Sequence, residues 1–167
     1  APSIEAWSPY TSIDKQTGFE LPETTNGGSF YFDGTGDYLT TTISGGTGSG
    51  DFTIELWAYI TNLHNYVNWF GNTRGSTGFN IGTDASGAIV WYSSSARQID
   101  YAAGLKNNAW YHIAFVRSSG VITLYLDGVS VATYSSSTDY SDSTFEISRG
   151  TVSGEEHEGY ISDFRFV

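Results

Sequence analysis

The sequence predicts an all-β protein built from antiparallel sheets, and three observations support that fold class. Aromatic residues make up 16% of the 167 residues, with 12 Tyr, 10 Phe and 5 Trp, and such side chains pack well on half-buried pleated surfaces. The 20 Gly residues, set against only 3 Pro, supply turns between short strands. The segment 107–128, NNAWYHIAFVRSSGVITLYLDG, contains a complete β-hairpin and its exit turn. A chain of this length is expected to fold as one domain.

Twelve short strands are predicted after residue 26, each an apolar, β-branched or aromatic run bounded by turn residues. They are 29–32, 38–43, 52–60, 68–71, 79–82, 88–93, 98–101, 110–117, 121–126, 129–134, 144–147 and 158–167. No segment keeps a helical period for three turns. The spacing is typical of a sandwich or a barrel.

Glycine and serine separate the first seven strands. The Asp33-Gly34 pair ends the first strand, and the Gly-rich loop 45–50 divides the second from the third, because Gly adopts backbone angles that other residues avoid. The Ser run 93–95 stands before the seventh. The strands between these turns and loops contain Trp69, Trp91 and Tyr92, which we expect mainly in the core.

The hairpin defines the next three strands. One face of 110–117 carries Trp110, His112, Ala114 and Val116, and the other carries Tyr111, Ile113, Phe115 and Arg117. Both faces are largely apolar, so we expect a central strand covered on each side, with His112 as a core residue. The Asp127-Gly128 pair then forms a tight turn into 129–134.

The last two strands follow the Ser-rich loop 135–141. Strand 144–147 is short. Strand 158–167 is expected to close the fold, but its alternation is imperfect, since Ile161 and Asp163 do not keep step with Phe164 and Phe166.

Residues 1–26 differ in character from the rest, because they hold all three prolines and scattered aromatics without a period. We expect an extended arm or an edge strand anchored by Trp7, Tyr10 and Phe19, with a mobile tail as the alternative. Such an arm could also dock on a second copy of the chain and form a homo-oligomer.

The charge excludes several partners. The chain has 7 Lys and Arg and 18 Asp and Glu, which gives a formal net charge of −11, and it contains no basic cluster. Nucleic acid, anionic lipid surfaces and sulfated glycans all require a positive surface. Neutral glycans, cations and basic protein surfaces remain open as partners.

Cysteine usage and hydropathy add little on the compartment. No Cys is present, so there is no disulfide framework and no thiolate site. No apolar stretch approaches a membrane span, and no signal-peptide pattern follows Ala1. We therefore expect a soluble protein without membrane insertion.

Four segments in the same order resemble the laminin-G-like members of the concanavalin A-like lectin/glucanase superfamily. They are SFYFDGTGDYL at 29–39, FTIELW at 52–57, the hairpin with its exit turn at 110–128, and GYISDFR at 159–165. The resemblance implies a two-sheet antiparallel β-sandwich, a jelly roll, in a family of mostly binding modules. The closing segment after such a hairpin is also similar to modules in virion proteins of tailed bacteriophages.

Many members of that family bind one calcium ion between the opening Asp-Gly turn and the closing strand. The matching positions are Asp33, Asp37 and the Ser162-Asp163 pair, and carboxylates suit this hard cation. This chain has Ser162 where the family commonly has Asp, so Asp163 could face the opposite side of the strand. Two alternatives stay open: Asp33 and Asp163 hold a structural Ca²⁺, or both are ordinary turn residues. The sequence requires no cofactor.

Catalysis is not expected. Glycoside hydrolysis needs two carboxylates across one bond, and no strand carries the acidic Glu-x-Asp-x-x-Glu cluster of the related glucanases. Glu55 stands alone in its strand, and 155–158 (EEHE) is expected to be a solvated loop. The three His lack metal-ligand spacing, and no Gly-x-Ser-x-Gly motif occurs. The sequence predicts that this protein is not an enzyme.

Aromatic side chains with nearby polar groups favour carbohydrate recognition, because a flat ring covers a sugar face while Asn, Asp or Arg binds its hydroxyls. The densest such groups are 64–69, 72–74 and 91–92. Among the loop residues we expect Tyr66, Arg74 and Arg97 to bind ligand. Arg97 could instead pair with a nearby acid.

The sequence therefore predicts a sandwich domain at 27–167 that acts as a non-catalytic binding or adhesion module for cell-surface glycans. The resemblance implies a place on a virion surface or tail, or otherwise outside the cell. The alternative is a structural decoration or assembly subunit of a capsid or tail, whose partners are neighbouring virion proteins.

Overall fold

The computed structural model describes residues 4–5, 28–72, 74–149 and 154–167. This part of the chain contains thirteen strands and no helix. The strands are β1 (Ile4–Glu5), β2 (Ser29–Asp33), β3 (Leu39–Thr42), β4 (Phe52–Ile60), β5 (Val67–Gly71), β6 (Phe79–Thr83), β7 (Ile89–Ser93), β8 (Ala96–Tyr101), β9 (Ala109–Ser118), β10 (Val121–Leu126), β11 (Val129–Ser135), β12 (Thr144–Ile147) and β13 (Glu158–Phe166). The described residues include no helix that could cross a membrane.

The strands form two antiparallel sheets packed face to face. One sheet has seven strands in the order β1-β2-β13-β4-β9-β10-β11, and the other has six in the order β3-β12-β5-β6-β7-β8. The predicted all-β, two-sheet sandwich is confirmed. All twelve predicted strands are present, most within one or two residues of the expected bounds.

Strand β4 shows why the sheets pack together. Its side chains are alternately buried and half-buried along all nine residues, as the period of two requires. Phe52, Ile54, Leu56, Ala58 and Ile60 face the core, and each is at most 4% exposed. Burial of the Phe, Ile and Leu side chains in this set contributes about 1.5–3 kcal/mol each.

Aromatic rings join the two sheets across the core. Trp91 of the six-stranded sheet stacks on Phe79 with ring centroids 4.3 Å apart, and it lies 5.4 Å from Phe115 of the seven-stranded sheet. Trp69 and Trp91 are fully buried, so the expectation for these two residues is confirmed. Tyr92 is only half-buried and lies on the outer face.

The predicted hairpin is present as β9 and β10, which pair from Ser118 and Val121 back to Ile113 and Leu126. Ile113 and Phe115 are fully buried, as the alternation predicted. The expectation that both faces of this strand are covered is wrong. His112 lies on the outer face, 26% exposed, with its ring centroid 5.2 Å from that of Trp57. The period of two places it there, opposite the core residues.

A β-bulge explains the imperfect alternation of the closing strand. Ser162 pairs with Trp57 and Arg165 with Glu55, so two residues of β13 oppose one of β4. Asp163 has a positive φ of 50° and is exposed. The extra residue lets Phe164 turn to the core, where its ring lies 4.9 Å from that of Phe70.

The first sheet extends by one short strand at its edge. The backbone of β1 pairs antiparallel with β2, with Ile4 opposite Phe30 and Glu5 opposite Ser29. Trp7, Tyr10 and Phe19, the residues expected to anchor the arm, lie outside the described residues. The division at residue 26 stays a prediction.

Candidate ligand-binding site on the six-stranded sheet

Alternation along the central strands places polar side chains on the outer face of the six-stranded sheet. Ile81 and Trp91 pair and face the core, so Asn80 and Tyr92, which also pair, face outward. Strand β5 adds Asn68 beside them, opposite Gly82. This surface is the floor on which the candidate site is built.

Arg74 lies between two tyrosine rings on this face. Its guanidinium carbon is 5.5 Å from the ring centroid of Tyr66 and 5.1 Å from that of Tyr92. Such cation–π contacts contribute about 0.5–1 kcal/mol when partly exposed. The guanidinium therefore fixes the position of both rings.

Arg97 approaches the same tyrosine and is held by two acids. Its guanidinium carbon is 5.0 Å from the Tyr66 ring centroid. Its Nη1 donates to Oδ2 of Asp84 at 2.8 Å and to Oδ2 of Asp100 at 2.9 Å. The alternative considered for Arg97, pairing with a nearby acid, is thus present, while its role in ligand binding stays a prediction.

The protonation states of this ion pair are firmly set. Burial disfavours the charged form of Asp84, but hydrogen bonds from Ser86, Arg97 and Ala88 hold its pKa below the ordinary value. Burial also opposes the charge on Arg97, while Asp100 and Asp84 raise its pKa. Both groups are therefore ionised at neutral pH.

Glu155 anchors Arg74 from below, and here a prediction was wrong. The segment 155–158 was expected to be a solvated loop, but Glu155 is 7%, Glu156 3% and His157 0% exposed. Glu155 accepts hydrogen bonds from Arg74 and from Asn68 Nδ2, the latter at 2.7 Å. Buried carboxylates need such partners, and these two had no recognisable pattern in the sequence.

We call Tyr66, Arg74, Tyr92 and Arg97 the arginine–tyrosine cluster. The depression that it lines is small, with about 10 Å³ of free space, which is room for about one water molecule. At Gly82 in the floor, a Cβ would lie 1.8 Å from the Val67 carbonyl oxygen, so only glycine fits there. A saccharide would therefore contact the outer surface of the cluster rather than enter a cavity.

The cluster unites the three residues that the sequence singled out. Tyr66 and Arg74 lie in loops as expected, and Tyr66 has a positive φ of 56° and is 39% exposed. Arg97 lies within β8 rather than in a loop, because β8 begins two residues earlier than predicted. Tyr92, Asn68 and Glu155 were not predicted. For Tyr92 and Asn68, the period of two measured from buried Trp91 and Ile81 could have identified the outward positions.

A second arginine–tyrosine contact lies farther along the same sheet. Arg149 ion-pairs with Glu146 at 2.9 Å, and its guanidinium carbon is 3.5 Å from the ring centroid of Tyr38. Glu146 pairs across the sheet with Gly71 and Thr40, so it faces outward as well. The outer face thus repeats one combination, a tyrosine under a carboxylate-bound guanidinium.

The structure does not bring together the two aspartates considered for calcium. Asp33 lies opposite Glu158, whereas Asp163 follows Ser162, which lies opposite Ser29. Five strand positions separate the two aspartates, a distance of roughly 16 Å, while the oxygens around one Ca²⁺ lie within about 5 Å of each other. Among the described residues no group of three acidic or histidine side chains could hold a metal.

The outer face of the seven-stranded sheet carries a different pattern. Tyr31, Tyr160, Tyr59 and Trp110 follow one another across four neighbouring strands, with ring centroids 5.1, 5.8 and 5.4 Å apart. Glu55 on this face is flanked by Arg165 at 2.5 Å and His112 at 3.7 Å. This is an ion-pair arrangement rather than the pair of carboxylates that glycoside hydrolysis requires.

Comparison with known proteins places residues 33–167 within one family model, Laminin_G_3, described as the concanavalin A-like lectin/glucanases superfamily. No curated protein matches the sequence.

Solved structures share this fold. Domain 4 of AbnA, a GH43 extracellular arabinanase from Geobacillus stearothermophilus, in complex with arabinotriose, superposes with a TM-score of 0.68 at 17% identity, covering 99% of this chain and 81% of that chain. Mouse laminin alpha1 chain domains LG4-5 give 0.61 at 18% identity, covering 83% and 40%. The carbohydrate-binding module CBM66 from Bacillus subtilis gives 0.54 at 13% identity, covering 87% and 89%. At these identities the likeness concerns the fold.

Proposed function

The chain belongs to the concanavalin A-like lectin/glucanase superfamily, and from that premise we propose that it is a non-catalytic glycan-binding module. The observation that carries the proposal is the arginine–tyrosine cluster, in which two tyrosine rings and two guanidinium groups meet on one sheet face. Similarity of fold to a carbohydrate-binding module and to a domain solved with arabinotriose supports it.

The cluster has the chemistry that a sugar requires. Tyr66 offers an exposed ring to the C–H face of a saccharide, and the guanidinium carbons of Arg74 and Arg97 lie 5.5 and 5.0 Å from its centroid. Arg97 and Asp100 beside it offer donors and an acceptor to hydroxyl groups. Since the groups are already bound to each other, binding orders few side chains and costs little entropy.

A glycan array followed by isothermal titration calorimetry of the chain tests this proposal. Tyr66→Asn removes the ring, and Asn tolerates the left-handed backbone, so the fold should survive. Tyr125→Asn is the matched control, because Tyr125 is a half-buried tyrosine of the other sheet. Reproducible binding that Tyr66→Asn abolishes and Tyr125→Asn preserves would support the proposal, and silence across the array would overturn it.

The setting that we propose is a virion surface or tail, or otherwise the outside of a cell. The support is the sequence resemblance of the hairpin and closing strand to modules of tailed-phage virion proteins. The other role considered, an assembly subunit with protein partners only, predicts ordered self-association or capsid binding together with a silent array. Mass photometry of the chain, alone and with virion proteins, separates these roles.

A further inference from the structure

We infer that the outer face of the six-stranded sheet selects uncharged saccharides and rejects anionic ones. The inference rests on the proposed glycan-binding function and names the ligand class of that same site. The evidence for it is the set of ion pairs between arginines and carboxylates on this face.

Each arginine that this face presents is bound to a carboxylate. Arg74 pairs with Glu155, Arg97 with Asp84 and Asp100, and Arg149 with Glu146. These pairs bring together four carboxylates and three guanidinium groups, so the paired groups have a small negative excess. The whole chain adds to it with a net charge of −11.

A site for anionic sugars needs the opposite arrangement. A uronate, sialate or sulfate group is bound best by a guanidinium fork that can make two parallel hydrogen bonds. Here an anionic ligand would meet guanidinium groups whose charge is already matched by the carboxylates of Asp84, Asp100 and Glu155. Its charge would also be repelled by Asp84 and Asp100, which share the single cation of Arg97.

The remaining described arginines offer no alternative on this face. Arg117 makes no ion pair among the described residues, but it is 2% exposed and donates to the carbonyls of Gly48, Ser136 and Thr138. Arg165 lies on the other sheet and pairs with Glu55. None of the described arginines therefore offers an anion at the cluster a charge that no carboxylate already balances.

Sugar hydroxyls fit the paired groups directly. A hydroxyl donates one hydrogen bond and accepts others, so it can bridge a guanidinium and a neighbouring carboxylate without breaking their ion pair. The Asp100 side chain is 50% exposed and that of Arg97 is 23% exposed, so both can be reached from solvent. An uncharged ligand carries no ion of its own that has to be stripped of water.

The test uses paired glycans that share one skeleton, one member neutral and the other carrying a uronate, sialate or sulfate group. Binding is measured by titration calorimetry at low and at high salt. At low salt the neutral member should bind at least about tenfold tighter than the anionic one. This difference in affinity, the gap, should shrink as salt rises, because salt screens exposed charges. Asp100→Asn removes one carboxylate charge while keeping the side-chain size, and should narrow the gap.

Asp127→Asn makes the same charge change in an exposed turn of the other sheet, where Asn also accepts the positive φ. It should leave the gap unchanged. Anionic members that bind the unmodified chain as tightly as their neutral partners, or tighter, would overturn this inference while leaving the glycan-binding function intact. A neutral preference that neither salt nor Asp100→Asn alters would overturn its electrostatic basis. Absence of binding by every pair would overturn the proposed function itself.

Discussion

The Arg97 guanidinium carbon lies 5.0 Å from the ring centroid of Tyr66. Tyr66 precedes β5 and Arg97 belongs to β8, and β6 and β7 separate these strands in the sheet. The contact therefore spans the outer face, and Gly82, which has no side chain, lines the depression beside Tyr66. Arg97, on the edge strand β8, thus contacts the exposed ring of Tyr66 beside β5.

Replacement of Arg97 should weaken glycan binding more than folding. In Arg97→Ala the Tyr66 ring loses one of its two cations, and Asp84 and Asp100 lose theirs. We expect at least about a tenfold loss of affinity but only about 1 kcal/mol of stability, because these groups are partly exposed. Calorimetric titration and thermal melting measure the two effects. Arg165→Ala, which breaks an ion pair on the other sheet, should keep full affinity.

Replacement of Glu155 should cost stability. Glu155→Ala leaves Arg74 and the buried amide of Asn68 without their acceptor, so we expect a loss of roughly 2 kcal/mol, with a smaller loss in Glu155→Gln. Urea denaturation gives the free energy of unfolding. Glu146→Ala, which removes a more exposed ion pair, should cost less than about 1 kcal/mol. Equal stabilities of Glu155→Ala and the unmodified chain would contradict the buried anchor.

Stability should fall in mildly acidic solution because of His157. Burial lowers the pKa of this imidazole from 6.5 to about 4. In the unfolded chain the His157 imidazole binds a proton near pH 6.5, whereas in the folded chain it stays neutral down to about pH 4. The free energy of unfolding therefore decreases as pH falls through this window, by roughly 3 kcal/mol in total.

The slope of stability against pH is the measurement for His157. Urea denaturation between about pH 7 and pH 5, above the range in which most carboxylates titrate, should show the slope in the unmodified chain. His157→Gln should flatten it, because the buried imidazole is removed. A slope that persists in His157→Gln would assign the effect to other groups.

The bulge residue Asp163 should tolerate substitution only by residues that accept a positive φ. Asp163→Asn and Asp163→Gly should be close to neutral, while Asp163→Val should lose about 1–2 kcal/mol from backbone strain. Melting temperatures of the three variants test this. Equal melting of the Val and Asn variants would argue against the left-handed backbone at this position.

Calcium should not stabilise the chain through Asp33 and Asp163 acting together. An ion that binds the native state raises the melting temperature by mass action, but the register separates these aspartates too far to share one ion. We therefore expect that any difference in melting midpoint between calcium and chelator persists in the double variant Asp33→Asn/Asp163→Asn. A higher midpoint in calcium that Asp33→Asn and Asp163→Asn each abolish would restore the shared site.

The sandwich was predictable because burial on one side imposes a period of two. Strand β4 alternates without a break, and turn residues mark both ends of the β9–β10 hairpin. The same period was misread where both faces of a strand carry bulky side chains. His112 looked like a core residue because Trp57, its partner on the outer face, is far away in sequence.

The site was predictable only in part, for a physical reason. Exposed aromatic and cationic residues stand out in an acidic, Lys-poor chain, and this led to Tyr66, Arg74 and Arg97. Glu155 could not be found this way, because a carboxylate is buried only when specific partners reach it, and its partner Asn68 is 87 residues away. The bulge at Asp163 likewise shows only as a break in alternation until its partner strand is known.

The position of β13 within its sheet has a consequence for folding kinetics. It is the last strand in sequence, yet it lies between β2 and β4 and pairs with both. These pairings join residues about a hundred positions apart, so loop-closure entropy opposes them until late in folding. During synthesis, one edge of β2 and one edge of β4 stay unpaired, and therefore prone to aggregation, until β13 has left the ribosome. Refolding of the chain should accordingly be slow for its size, and removal of β13 should separate β1 and β2 from the rest of their sheet.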